Sequence, residues 1–389
     1  MLRTILNIAN REIGRLLSGK IYWFCIFVVP VVTCLFFLSL MSEGLPTKLP
    51  VAVVDMDNTS SSRNISRLLG SFEHVEVVEK YGDFNQAKIE MQKGNIYGIF
   101  LIPHNFTQNA TSSKQPLLAF HTNNSYLIAG SLVFKDMKTI SVLASGSVAL
   151  QSGLAKGHTE EQIMAALQPV VLETHPIGNP WINYSVCLNN IILPGILALM
   201  IMCVTVFSIG IEIKEKTVND WLSLVKGKYS MIPSIIGKLL PQTIFFFIVG
   251  LLMYFVLYVM LKFPLHGNVL NMILALFLLI TASQALGVFM IGCLPSLRLG
   301  LSFSCLFGMI AFSISGFSFP VSAMYPPIQA LSNIFPLRHY FIIYGDQALN
   351  GRDFFYAWTH YAALFGFWFL PIFTLRNLKW SLKHLPYQP

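Results

Sequence analysis

Charge is scarce in this chain of 389 residues: Asp, Glu, Lys and Arg make up 11% of it, and long stretches carry none. Soluble globular domains carry about a quarter charged residues, so that class is excluded. Cysteine is scarce where a secreted fold would need it. All six cysteines (Cys25, Cys34, Cys187, Cys203, Cys293 and Cys305) lie in or beside apolar runs. None falls between residues 42 and 185, so a domain there must hold together without a disulfide. A nucleotide-binding loop is missing as well. Gly14-Arg15-Leu16-Leu17-Ser18-Gly19-Lys20-Ile21 imitates one, but Ile21 stands where Ser or Thr would hold magnesium, and no strand precedes it. His175, His339 and His360 stand singly without a second ligand at metal spacing. No metal or other cofactor is called for.

Apolar residues fill the space that charge leaves. They make up 54% of the chain, and a helix rising about 1.5 Å per residue needs roughly 20 of them to cross a hydrocarbon core about 30 Å thick. Six segments reach that length: residues 21–41, 186–211, 239–261, 269–294, 299–323 and 354–375, none with an Asp, Glu, Lys or Arg. The fold class predicted is a polytopic α-helical membrane protein with six transmembrane helices. The first run is too long for a signal peptide and no cleavage site follows it, so the N-terminus is expected to stay.

Lys and Arg gather at alternate ends of these spans. Arg3, Arg11, Arg15 and Lys20 precede the first, Lys214, Lys216, Lys226, Lys228 and Lys238 follow the second, Arg298 follows the fourth, and Arg376, Lys379 and Lys383 follow the last. With six spans they share one side, which the positive-inside rule makes cytoplasmic together with both termini. The net charge of +8 then reflects contact with anionic membrane lipid. No nucleic-acid motif competes.

The same count puts residues 42–185 outside in one block. Strand-like runs at 51–54, 74–78, 96–102 and 117–121 alternate with helical patterns at 60–69 and 84–92, which predicts a small α/β domain. Helical spacing returns over 126–153, and Thr159 with Gln162 forms a capping box that opens another helix through residue 168. A last strand is expected near 170–173, before the second span.

The first strand ends in Asp55-Met56-Asp57-Asn58-Thr59, which fits the D-x-D-x-T of phosphohydrolases that use the first Asp as nucleophile and the second as acid/base. That chemistry also needs a second acidic cluster for magnesium and a Lys on the phosphate, and no Asp-Asp pair follows. The competing account is a strand end that caps the next helix. A membrane-tethered phosphohydrolase built on Asp55 and Asp57 stays as the alternative function. A secondary transporter is the other rival, disfavoured because the spans hold no ionisable residue except His360.

Between two charge-free runs sits the segment Glu212-Ile213-Lys214-Glu215-Lys216-Thr217-Val218-Asn219-Asp220-Trp221-Leu222. As a helix it places Thr217, Val218, Trp221, Leu222 and Val225 on one face and Glu212, Glu215, Lys216 and Asn219 on the other. Such a helix can lie on headgroups or dock into a protein groove. Residues 2–17 are also amphipathic, with Leu2, Ile5, Leu6, Ala9, Ile13, Leu16 and Leu17 on one face and Arg3, Asn7, Asn10 and Arg11 opposite, as in an interfacial helix.

Here the chain resembles the type 2 ABC exporter permeases, the membrane subunits of bacterial multidrug and lipid-like export systems. Lys214-Glu215-Lys216-Thr217 with Trp221-Leu222 is similar to that family's cytoplasmic signature, except that Lys216 replaces the usual Gly. Gly316 to Pro327, continuing to Phe335-Pro336-Leu337-Arg338-His339-Tyr340, resembles its broken helices that re-enter the outer leaflet. The prolines give a physical reason, since each removes a backbone donor. The layout of one span, a large outer domain and five further spans is also similar.

The resemblance implies a permease for efflux of a hydrophobic or amphiphilic substrate, powered by separate cytoplasmic ABC ATPase subunits and lacking an ATPase site of its own. It implies a dimer with a second permease, either a homodimer or a paralogous heterodimer. A periplasmic adaptor and an outer-membrane channel, and hence an inner-membrane location, come with the outer domain. The implied organisation is an elbow helix at 1–20, the first span at 21–41 and the periplasmic domain at 42–185. Spans two to six follow at 186–377, with a coupling helix at 212–226 and a re-entrant segment at 320–350, and 378–389 forms a tail. Glu212, Glu215, Lys216, Thr217, Trp221 and Leu222 would couple to the ATPase. Asn189, Asn190, Gln242, Ser283 and Gln284 are candidates for the translocation path, and Pro320, Pro326, Pro327, Pro336 and Tyr340 for the re-entrant segment.

Overall fold

The structure, a computed structural model, describes residues 2–112, 114–168, 178–179, 183–224, 231–317 and 319–384. The chain forms two compact units, one of Met1–Gly44 with Pro176–Pro389 and one of Leu45–His175. Among the described residues, six helices are long and apolar enough to cross a membrane.

The first unit begins with helix α1, Leu2–Ser18, which buries Ile8, Ala9, Glu12 and Leu16. Leu2, Leu6, Ile13 and Leu17 remain exposed, an apolar stripe available to lipid. The amphipathic pattern is therefore split, with one part packed on protein. Gly237 of the third span makes that packing possible, because a Cβ there would lie 2.8 Å from the Ile5 carbonyl oxygen. The first span follows at Lys20–Leu40. A π turn, Phe24–Val28, precedes Pro30, whose missing N–H interrupts the regular ladder.

The second unit is built on a sheet of order β2-β1-β3-β4, with β1 (Leu49–Asp55), β2 (Val75–Tyr81), β3 (Gly98–Ile102) and β4 (Ala119–Thr122). β1 runs parallel to β2 and β3, and β4 is antiparallel to β3. Val51–Val54 are fully buried because β1 is covered on both faces. Val51 and Val53 face Ile65 and Leu69 of α2 (Ser60–Leu69), while Ala52 and Val54 face Ala87 of α3 (Phe84–Lys93). A short helix, α4 (Phe106–Thr111), follows β3 and escapes the sequence pattern. The long helix α5 (Leu127–Ala155) packs Val133, Met137 and Ile140 onto the Val51 face. The Thr159–Gln162 capping box opens α6, Glu160–Leu167. The strand expected near 170–173 lies outside the described residues.

The remaining spans of the first unit are Tyr184–Lys214, Met231–Met260, Val269–Cys293, Leu297–Ile314 and Phe354–His384. The second and fourth are the most buried, and the first and fifth the least. Four boundaries differ from expectation. The third span starts eight residues before 239 and takes in Lys238, so a helix read as charge-free carries a cation. Glu212 and Lys214 likewise belong to the second span. The sixth continues past 375 to His384. The fifth stops at Ile314 instead of 323, because Gly316 turns the chain at φ +95°, a conformation that L side chains avoid. Beyond it, α8 (Pro326–Ser332) and α9 (Pro336–Tyr344) each begin on a proline, whose fixed φ suits the first helical position. The prolines thus start the short helices as well as break the long one. The remaining short helix, α7 (Val218–Ser223), falls in the chain between the second span and the third and belongs to the candidate site.

Candidate functional site

The second span ends in a left-handed turn. Thr217 N–H donates to the Glu212 carbonyl at 3.1 Å and Lys216 N–H to that of Ile213 at 3.4 Å, the paired bonds of a Schellman cap. Lys216 occupies the left-handed position at φ +59°, where glycine is the unstrained choice. The turn is therefore made as tightly with Lys as with Gly. After it comes the six-residue helix α7, Val218–Ser223. This is shorter than the expected coupling helix at 212–226, and residues 225–226 lie outside the described residues.

Glu212 is the centre of the site. Its side chain is fully buried, as is that of Lys238, and Glu12 is 1% exposed. Arg11 grips it with two bonds, Nη1 to Oε1 at 2.8 Å and Nη2 to Oε2 at 2.9 Å. Lys238 Nζ donates to Oε1 at 2.7 Å, and both Arg15 Nη1 and Thr217 Oγ1 donate to the same carboxylate. Lys238 also pairs with Glu12 at 2.9 Å, and Arg15 with Glu215 at 3.0 Å. Three cations thus meet three carboxylates from α1, the second span with its turn, and the third span. Burial opposes the Arg11 charge, but the bonds to Glu212 and the nearby Glu12 outweigh it and raise its pKa above the ordinary value.

Trp221 lies beneath this cluster. It is fully buried, and Lys238 Nζ sits 4.7 Å from its ring centroid, a cation–π contact. This corrects its assignment to a face that seats a partner, because its surface is spent inside its own chain. Val218 is buried and Leu222 half-buried, whereas Glu215, Lys216, Asn219, Asp220 and Ser223 are exposed. Arg11, Glu12, Arg15 and Lys238 were absent from the sequence-derived site. One signal was available: Glu12 sits one turn from both Ile8 and Leu16, an acid on a buried stripe.

The path candidates are not gathered in one groove. All five are buried. Asn189 donates to Ser185 Oγ at 2.9 Å and Asn190 to the Val186 carbonyl at 2.8 Å, while Tyr258 donates to Asn190 Oδ1 at 2.8 Å. Ser283 bonds to its own helix at the Leu279 carbonyl. Gln284 accepts from Thr243 at 2.8 Å, and both Gln242 amide atoms lack partners among the described residues. In the broken-helix segment Tyr340 shares a 2.6 Å bond with Tyr254, and Pro336 is buried, whereas Pro320, Pro326 and Pro327 are exposed.

Two histidines read as solitary are neighbours: His339 Nδ1 lies 3.1 Å from His360 Nδ1. Sequence spacing concealed this, since separate helices carry them. No cluster of three or more metal-ligating side chains occurs among the described residues. His175 lies outside them.

Asp55 and Asp57 close β1 by capping. Asp55 accepts from the backbone of Asp57 and Asn58 and from Ser62 Oγ, and Asp57 accepts from Thr59 Oγ1, Thr107 N–H and Thr107 Oγ1. Burial pulls the Asp57 carboxyl up, but the bonds from Thr107 and Thr59 prevail and hold it below the ordinary carboxylate range.

A family model of the ABC-2 family transporter proteins matches residues 20–375. The chain belongs to this family. As an ABC-2 permease it is a multi-pass membrane protein and the membrane component of a transporter whose ATPase is a partner. No curated protein matches the chain. For a permease that relies on a partner for its energy, the ion cluster joins α1, the second span and the third span by charge.

Proposed function

We propose that this permease exports a hydrophobic or amphiphilic molecule, such as a drug or a lipid-like compound, driven by separate cytoplasmic ATPase subunits. The observation that carries the reading is the Glu212 cluster. A push on α7 or on the turn before it is delivered through buried ion pairs to α1, the second span and the third span together. Such pairs resist separation, because removing one partner leaves an uncompensated buried charge. The exposed Asn219, Asp220 and Ser223, flanked by Glu215 and Lys216, form the face that meets the ATPase. Thr217 and Trp221 transmit from behind it. In this reading both termini and the cluster are cytoplasmic, in an inner membrane. The second unit is periplasmic and can meet an adaptor and outer-membrane channel. The less buried first and fifth spans meet a second copy to form the path.

Transport and ATP hydrolysis by the reconstituted permease–ATPase complex test this. Asp220→Lys should weaken assembly with the ATPase. Thr217→Val should leave the complex assembled and hydrolysing while export falls at least about tenfold. Full export by both variants would overturn the assignment. The phosphohydrolase reading gains nothing from carboxylates already used as caps.

A further inference from the structure

A cavity of about 490 Å³ lies between the third, fourth and sixth spans. Its wall is almost wholly apolar and includes Ile236, Ile244, Phe277, Trp368, Ile372 and Leu375. Ile236, Ile244, Trp368 and Ile372 are all exposed, so the cavity opens sideways onto the lipid-facing surface.

One polar side chain in that wall is only half used. Gln284 is 3% exposed, and its Oε1 accepts from Thr243 Oγ1 at 2.8 Å, yet its Nε2 has no acceptor among the described residues. The other hydroxyl nearby is engaged, since Thr281 Oγ1 accepts from Trp368 Nε1 at 3.0 Å and donates to the Phe277 carbonyl. A buried amide N–H without an acceptor is costly, and a ligand carbonyl would satisfy it. The occupant is therefore an apolar chain bearing one acceptor.

Depth and charge narrow the class. Thr243 lies five residues beyond Lys238, about 7.5 Å further along the helix. The polar layer of a bilayer is about 5–7.5 Å thick on each side. A phospholipid with its phosphate level with the ion cluster would therefore hold its ester carbonyls near Gln284. Trp368, Ile372, Leu375 and Lys379 follow one another at helical spacing on the sixth span. Lys379 is thus the next side chain of the wall beyond its charged end, with Lys383 a turn further.

We propose that this cavity binds one acyl chain of an anionic phospholipid, its ester carbonyl on Gln284 Nε2 and its phosphate toward Lys379. The third span carries both this wall and Lys238, so a bound lipid braces the helix that holds the ion cluster. The site is independent of the coupling assignment and of which leaflet faces the cytoplasm.

Native mass spectrometry of the full-length permease, incubated with phosphatidylglycerol or phosphatidylcholine, tests the site. One phosphatidylglycerol per chain should be retained in preference to phosphatidylcholine. Gln284→Leu should weaken retention about tenfold, the worth of one hydrogen bond, and Lys379→Gln should erase the headgroup preference. Ala285→Phe fills the cavity from inside and should abolish retention. Because that change can overpack the interior, Ile372→Trp fills it from the exposed rim, with an unchanged melting temperature as the control. Equal retention by wild type, Gln284→Leu and Ile372→Trp would overturn the proposal. So would retention of a neutral single-chain amphiphile that phosphatidylglycerol cannot displace, which would assign the cavity to transported cargo.

Discussion

Glu212 and Lys238, 26 residues apart on different spans, meet at 2.7 Å with neither side chain exposed. Each neutralises a charge that its own helix could not carry alone in an apolar setting.

Removing either partner should be worse than removing both. Glu212→Gln or Lys238→Met alone is expected to destabilise the permease by about 3–5 kcal/mol, and the double variant by distinctly less. Thermal unfolding in detergent gives the comparison. A double variant as unstable as the sum of the singles would show that the pair is not coupled.

Lys216→Gly should stabilise the turn after the second span without changing its shape. The left-handed backbone costs a non-glycine residue about 1–2 kcal/mol, and glycine removes most of it at some cost in unfolded-chain entropy. A rise in melting temperature with coupling retained is expected. Lys216→Val, β-branched at positive φ, should lower it.

Asp136 is 5% exposed and its Oδ2 has no hydrogen-bond partner among the described residues; burial raises its pKa above the ordinary carboxylate value. A folded pKa above the unfolded one means the penalty is absent at low pH and grows as pH rises from the unfolded value through the folded one. Asp136→Asn should therefore slow amide exchange in the Leu127–Ala155 helix at pH 7 and change it little near pH 3. Unchanged exchange at pH 7 would remove burial of this charge as a cost.

Asp57→Ala should cost the second unit about 1–2 kcal/mol, by removing the carboxylate that accepts from both Thr59 Oγ1 and the Thr107 N–H. No magnesium-dependent phosphatase activity should be lost with it. A wild-type activity abolished by Asp55→Asn would restore the phosphohydrolase reading.

The spans were legible because their signal is local, about twenty apolar residues in a row. So was the β1 strand, whose two buried faces make Val51 to Val54 uniformly apolar, and the Thr159–Gln162 box, which closes over four residues. Their ends were less legible. Lys238 reads as a loop residue until Glu12 and Glu212 are seen beside it, and both come from other helices. The His339–His360 contact was hidden for the same reason. Trp221 was misplaced because helical periodicity gives the face of a residue but not what covers that face. The turn at Lys216 could be located, but only backbone geometry shows how a lysine fills it.

The bidentate bond from Arg11 to Glu212 spans 201 residues of sequence, and this imposes an order on biosynthesis. When α1 leaves the ribosome, the carboxylate that receives Arg11 and Arg15 has not been made, and Lys238 comes later still. Until then the helix can rest only on lipid, through Leu2, Leu6, Ile13 and Leu17. A helix made well before the two spans it pairs with is thus among the last to settle.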